Sequence, residues 1–136
     1  MRRLTKKFRV LVAGTGLACA AVLATAPQAS AITWDHTMHT NDGDPGGLIR
    51  FAAHGDYVEV CDIEADGYAV RGFVNDDHQH YYTLHRGGKG NCARTSAAVA
   101  GHNLTEGDDV YFQVALYKDG GENQYLDATY WWNPRE

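Results

Sequence analysis

Basic residues are scarce in most of this chain. Of twelve Lys and Arg in 136 residues, five (Arg2, Arg3, Lys6, Lys7 and Arg9) crowd the first nine positions. From Ile32 onward seven remain against seventeen Asp and Glu, a formal charge of −10. A field of that sign repels phosphate backbones and anionic headgroups, so nucleic acid and anionic membranes are excluded as partners and a neutral or basic one is favoured. Serine is nearly absent too. Ser96 is the lone serine after position 31, and no G-x-S-x-G elbow is present, which removes the usual hydrolase nucleophile. The longest apolar run, residues 10–25, holds sixteen residues, short of the roughly 20 that a membrane-spanning helix needs. Of three cysteines, Cys19 falls in that run, which leaves Cys61 and Cys92.

What is present at the start reads as an export signal, residues 1–31. The basic positions form an n-region, residues 10–25 an apolar h-region, and Ala29-Ser30-Ala31 the small-x-small pattern that a signal peptidase admits. The pair Arg2-Arg3 lacks the apolar residues expected after a twin-arginine signal, and Gly16-Leu17-Ala18 before Cys19 is a poor lipobox. The mature protein is expected to begin at Ile32, to act outside the cell, and to insert in no membrane after cleavage. In that oxidising setting Cys61 and Cys92 are expected to form one disulfide. The loop it closes holds about 30 residues, worth roughly 3 to 4 kcal/mol by chain entropy.

The remaining 105 residues suffice for one domain with a modest core. Residues 109–118 alternate with period two, Val110, Phe112, Val114 and Leu116 against Tyr111, Gln113, Ala115 and Tyr117. That is the pattern of a half-buried strand. Residues 57–63 and 67–74 alternate likewise, and Asp66-Gly67 between them signals a hairpin. Further strands are expected at 48–53, 80–85, 92–98 and 125–132. The fold class is therefore all-β, a small antiparallel sandwich or barrel over residues 48–136. Residues 32–47 differ. Ile32-Thr33-Trp34 leads into a polar stretch ending Asn-Asp-Gly-Asp-Pro-Gly-Gly, which reads as an extended arm on a flexible hinge. The arm can pack on its own domain as an edge strand or add to a partner. As a partner-seeking element, its removal (residues 32–40) is expected to leave the melting temperature nearly unchanged.

Chemistry-bearing clusters are few. His78 and His80, beside Asp76 and Asp77, are the weak candidates for a metal site, since positions i and i+2 of a strand share a face. No spacing matches a known zinc motif, and solvated imidazoles explain them better. The stretch from Asp62 to Gly67 fails as an EF-hand loop because Phe73 stands where a bidentate Glu belongs. Asn41, Asp42 and Asp44 have the oxygen ligands to coordinate Ca²⁺ from a Gly-rich loop, and hinge chemistry explains them equally well. No catalytic residue, metal or cofactor is expected. The aromatics are more informative. Tyr81-Tyr82 form one pair, and Tyr125, Tyr130, Trp131 and Trp132 crowd the C-terminus. Strand neighbours point to opposite faces, so Trp131 and Trp132 cannot both fill one core. One is expected to face outward or to lie beneath the arm, and exposed Trp and Tyr are typical interface anchors.

The plan of a leader ending at Ala31, an arm from Ile32 to Gly47 and a strand-rich domain stapled by Cys61 and Cys92 resembles the small adaptor subunit of secreted bacterial umbrella toxin particles. That resemblance implies a protein without catalysis, linking a lectin-bearing subunit to a large ring-forming toxin subunit in an antibacterial particle. The expected function is thus a secreted, non-enzymatic protein-binding module whose partners are other secreted proteins. Ile32, Thr33 and Trp34 would meet one partner, and Tyr81, Tyr82, Trp131 and Trp132 a second. The alternatives are an extracellular hydrolase inhibitor presenting a loop at 74–79 or 86–91, and a carbohydrate- or metal-binding module.

Overall fold

The computed structural model describes residues 31–78, 80–118 and 120–135. The expected leader, but for Ala31, lies outside the described residues. Eight strands follow in order: β1 (His36–His39), β2 (Gly47–Ala52), β3 (Tyr57–Asp62), β4 (Ala69–Asn75), β5 (Tyr81–Gly87), β6 (Cys92–Thr95), β7 (Asp108–Tyr117) and β8 (Gln124–Asn133). They form two four-stranded sheets, β1-β2-β3-β6 and β5-β4-β7-β8, called A and B below. All pairings are antiparallel. No helix occurs among the described residues. The protein is an all-β sandwich with one disulfide, Cys61–Cys92.

Alternation places the core. Sheet A turns Ile49, Phe51, Val58 and Val60 inward, with Ile49 opposite Val60 and Phe51 opposite Val58. Sheet B turns in Val70, Val74, Val110, Phe112, Val114 and Leu116. Burying each such side chain contributes about 1.5 to 3 kcal/mol. The sheets meet most closely at Gly72, where a Cβ would sit 2.4 Å from Val60 Cγ1 and 3.0 Å from Ile49 Cδ1. Glycine is required there for space, not for backbone freedom.

Two expectations are corrected. First, Asp66-Gly67 is not a hairpin turn. β3 pairs with β2 and β6, whereas β4 pairs with β5 and β7, so the chain changes sheet at this point. The turn chemistry is real, with the Tyr68 N–H donating to Asp66 Oδ1 at 2.8 Å and Gly67 at φ +79. A period-two pattern on either side simply does not specify which strand pairs with which. Second, residues 32–47 are not an arm on a hinge. β1 lies in register against β2, with His36 opposite Phe51 and Met38 opposite Ile49. Met38 and Thr40 are buried. The Asn-Asp-Gly-Asp-Pro-Gly-Gly stretch is tied as the β1–β2 turn. Asp42 Oδ2 accepts the Gly46 N–H at 3.0 Å, Thr40 Oγ1 accepts the Gly47 N–H at 3.1 Å, and the Thr40 N–H donates to Gly47 O at 3.0 Å.

Deleting residues 32–40 is therefore expected to lower the melting temperature by about 10 °C or more, since it removes a buried Met and a strand of sheet A. Gly72→Ala is expected to cost about 1 to 3 kcal/mol by overpacking. Thermal and urea denaturation followed by circular dichroism measure both. An unchanged melting temperature for the deletion would restore the flexible-arm reading.

Candidate functional site

The two outer faces of the sandwich differ in kind. On sheet A, Arg50 of β2, Glu59 of β3 and Arg94 of β6 fall in one cross-strand row. Glu59 is buried, yet its carboxylate is satisfied. Oε1 accepts Arg50 Nε at 2.8 Å and Oε2 accepts Arg94 Nε at 2.6 Å, and both guanidinium Nη2 atoms add ion pairs. The Trp34 ring roofs this row, 4.3 Å from the Arg50 guanidinium carbon and 5.5 Å from that of Arg94. Trp34 is thus committed to its own domain by cation–π contact, and this face is closed on itself.

The outer face of sheet B is open and aromatic. Register lines up Tyr81, Asn75, Tyr111 and Tyr130 across β5, β4, β7 and β8. Strands are spaced about 4.8 Å apart, so this row spans about 14 Å. The next row is Thr83, Phe73, Gln113 and Ala128, and Trp132 stands opposite Asp109. Tyr81 is 68% exposed, Tyr130 57% and Trp132 54%. The Tyr111 and Tyr130 rings meet edge to face at 5.3 Å, and the Tyr111 hydroxyl donates to Gln113 Oε1 at 2.9 Å. These contacts fix the Tyr111–Tyr130 pair. Acidic groups fringe one end, where Asp77 accepts from Asn75 Nδ2 at 2.9 Å beside Asp108 and Asp109.

Of the residues expected to face partners, Tyr81 and Trp132 are on this surface. Tyr82 and Trp131 are not. Tyr82 is only 8% exposed and stacks on His102 with ring centroids 4.0 Å apart. Trp131 packs on Phe112 at 4.7 Å and on His36 at 5.0 Å, beneath β1. Both point inward because they neighbour outward residues on the same strand. Ile32 is half-buried and Thr33 exposed. Tyr111 was legible only as a member of the outward set of β7. The pairing of β7 with β8, which no local pattern encodes, is what sets it against Tyr130.

His78 and His80 each face a different carboxylate. His78 Nε2 lies 2.8 Å from Asp108 Oδ2, and His80 Nδ1 lies 2.6 Å from Asp76 Oδ2. Both histidines lie outside β4 and β5, so the strand geometry that would align them is missing. Among the described residues, the clusters of three potential metal donors are Glu59–Cys61–Cys92 and Asp42–Glu64–Asp66, and neither contains histidine. The first is spent on the disulfide and the arginines.

Asp76 instead organises this corner. It is buried, and accepts the backbone N–H groups of His78 and His80 on Oδ1 and the Thr105 N–H and hydroxyl on Oδ2, besides the His80 ring. Burial opposes its charge, but hydrogen bonds led by the His80 side chain outweigh that and hold its carboxyl well below the usual carboxylate range. Burial, and then His80, lowers the pKa of His102. Burial, with Asp56 and Asp76, pushes the Tyr82 phenol above its ordinary range. The Thr105 hydroxyl is committed to the Asp76 carboxylate. This is the architecture of a loop anchor.

Neither protein-family models nor characterised proteins match the chain. Among solved structures, it is similar to an endonuclease/exonuclease/phosphatase from Beutenbergia cavernae, with a TM-score of 0.51 and 15% identity over 74% of this chain. The chain spans about a quarter of that protein, 27% of its length. At this identity the likeness is one of fold.

Acid is expected to destabilise the protein through this corner. The unfolded chain protonates Asp76 near pH 4 while the folded state resists to lower pH, so stability is lost as pH falls below about 4. Burial of neutral His102 acts in the same direction below about 6.5. The hydrogen bond to Asp108 raises the pKa of His78, whose opposing contribution is present at low pH and lost as pH rises through that value. Asp76→Ala is expected to cost about 3 kcal/mol at pH 7, and Asp76→Asn to flatten the acid limb. Melting temperatures from pH 3 to 8 check both. An acid limb unchanged in Asp76→Asn would remove Asp76 as its cause.

Proposed function

We propose that this chain is an exported, non-enzymatic protein-binding module, an adaptor that joins subunits of an extracellular assembly. The observation that carries the reading is the outer face of sheet B, where Tyr81, Tyr130 and Trp132 stand exposed around the half-buried Tyr111, while the Arg50–Glu59–Arg94 row of the opposite face satisfies itself. A solvated antiparallel face is ordinarily polar. Aromatic side chains at low entropic cost are what interfaces concentrate. The acidic fringe and the charge of −10 from Ile32 onward suit a partner surface bearing Lys or Arg, whose cations also stack on tyrosine and tryptophan.

Export is supported by the basic and apolar leader pattern and by the Cys61–Cys92 disulfide. No helix among the described residues is long and apolar enough to cross a membrane. The likeness to a phosphatase-type enzyme concerns fold, and the acidic surface disfavours phosphate polyanions. Trp34 roofs its own sheet, and the first partner surface is the outer face of sheet B.

Secretion of C-terminally tagged protein from its own producer, followed by identification of what co-purifies, tests this reading. Stoichiometric exported partners are expected. The triple variant Tyr81→Ala, Tyr130→Ala, Trp132→Ala is expected to lose them by at least tenfold with an unchanged melting temperature. A partner-free monomer, or capture indifferent to the triple variant, would overturn the proposal.

A further inference from the structure

The outer face of sheet B alternates in bulk and changes sign from end to end. Along β7 the outward positions are Asp109, Tyr111, Gln113 and Ala115, and register carries each row across the sheet. Asp109 stands beside Trp132. The next row is bulky at both margins, with Tyr81 on β5 and Tyr130 on β8. The row after it is small at both margins, with Thr83 on β5 and Ala128 on β8. The fourth row holds His85, Arg71 and Ala115. Two residues before Ala128 comes Leu126, 49% exposed. Asp77 and Asp109 are exposed at the first end. Arg71 lies toward the other, where its Nη1 donates to Asn123 Oδ1 at 3.0 Å and its guanidinium covers the Tyr117 ring at 3.9 Å. Neither Asp109 nor Arg71 has an ion-pair partner among the described residues.

We infer that a second copy of this chain covers this face, in a two-fold, face-to-face dimer, when no other partner is bound. The inference rests on the reading of the face as a docking surface and names its occupant before assembly. A two-fold axis laid across the strands, midway between the rows of Tyr111 and Gln113, makes the face its own complement. Rotation about it sets β5 over β5 and β8 over β8 with the strands reversed. Tyr81 then meets Thr83 of the second copy, Tyr130 meets Ala128, and Trp132 meets the neighbourhood of Leu126, so bulk falls on small or apolar positions. Asp109 falls on the row of Arg71, one strand away, and the symmetry makes each contact twice. Four strands by six residues give a patch of about 14 by 20 Å. That is the small end of protein interfaces, so the dimer is weak and a larger partner surface displaces it. The charge of −10 from Ile32 onward opposes association at a distance. Salt screens that repulsion over about 8 Å, whereas the Asp109–Arg71 pairs act in contact.

Sedimentation velocity of the purified secreted protein, from about 5 to 500 µM at physiological salt, tests the dimer. A reversible monomer–dimer equilibrium is expected, with a dissociation constant between about 10 and 200 µM. Asp109→Arg and Arg71→Asp are each expected to weaken it tenfold or more, because each puts like charges into both contacts. Mixed in equal amounts the two variants are expected to recover dimer, since both contacts of the mixed pair again join opposite charges. Ala128→Lys, at an exposed position, is expected to weaken association tenfold by filling the small row, and it carries the test if circular dichroism shows that a charge variant does not fold. A monomer throughout would overturn the inference. So would a dimer indifferent to Ala128→Lys, or two folded charge variants that do not recover dimer when mixed. Partner capture separates the two readings. A wild-type monomer that still captures exported partners through Tyr81, Tyr130 and Trp132 overturns the dimer alone, and a wild-type dimer that captures none overturns the adaptor alone.

Discussion

The bond between Cys61 and Cys92 fixes the excursion on which the rest of the sandwich depends. The two residues are direct cross-strand partners on β3 and β6, with Cα atoms 4.1 Å apart. Between them the chain leaves sheet A, lays down β4 and β5 in sheet B, and returns. Closing a loop of that length removes roughly 3 to 4 kcal/mol of unfolded-state entropy in the chain-entropy model. Asp62 reinforces the closure. Its buried carboxylate accepts the Gly88 N–H at 2.7 Å, its carbonyl accepts the Gly90 N–H at 2.8 Å, and its N–H donates to Asn91 O at 3.0 Å. The short β6 has four residues of pairing to hold it. The staple helps to keep β6 beside β3, where Arg94 meets Glu59, and loss of that pairing would take half its compensation from a buried carboxylate that two arginines flank.

The contrast between the two outer faces follows from what each row carries. Sheet A spends its outward positions on a charge triad and a tryptophan roof, so its polar groups are satisfied internally. Sheet B spends the equivalent positions on aromatic rings, and Tyr81, Tyr130 and Trp132 leave more than half of their area in water. Folding alone gives no return for that exposure, since burial of the same rings would contribute about 25 cal/mol per Å². A partner that covers them recovers it.

Much of the strand content was readable because one face of each strand is buried. Residues 109–118 correspond to β7 within one residue, and 57–63, 92–98 and 125–132 each contain or overlap a strand that begins near the expected place. What the alternation could not carry was partnership. Asp66-Gly67 has the local chemistry of a hairpin and sits at a change of sheet, because the choice is made by which inward faces meet across the core. The 41–47 stretch looked like a hinge by composition, yet the same Asp and Thr side chains that break strands also cap a turn when two strands flank it. Trp34 looked like a free anchor because Arg50 and Arg94, its partners, are distant in sequence.

β8 shows how one strand serves core and surface together. Trp131 is locked inward between His36, Phe51 and Phe112. With a period of two, each locked residue fixes the direction of its neighbours, so Tyr130 and Trp132 are presented outward by the packing of the tryptophan between them. Toward the strand's start the inner positions pass beyond the cover of β1, and the same alternation that buried Trp131 leaves Thr129 half-buried and Asp127 in water. The outward set on β8 and the emergence of Asp127 into water are thus two consequences of a single anchoring residue. Loosening Trp131 would disturb both, whereas a change at Asp127 or at Tyr130 reaches only one.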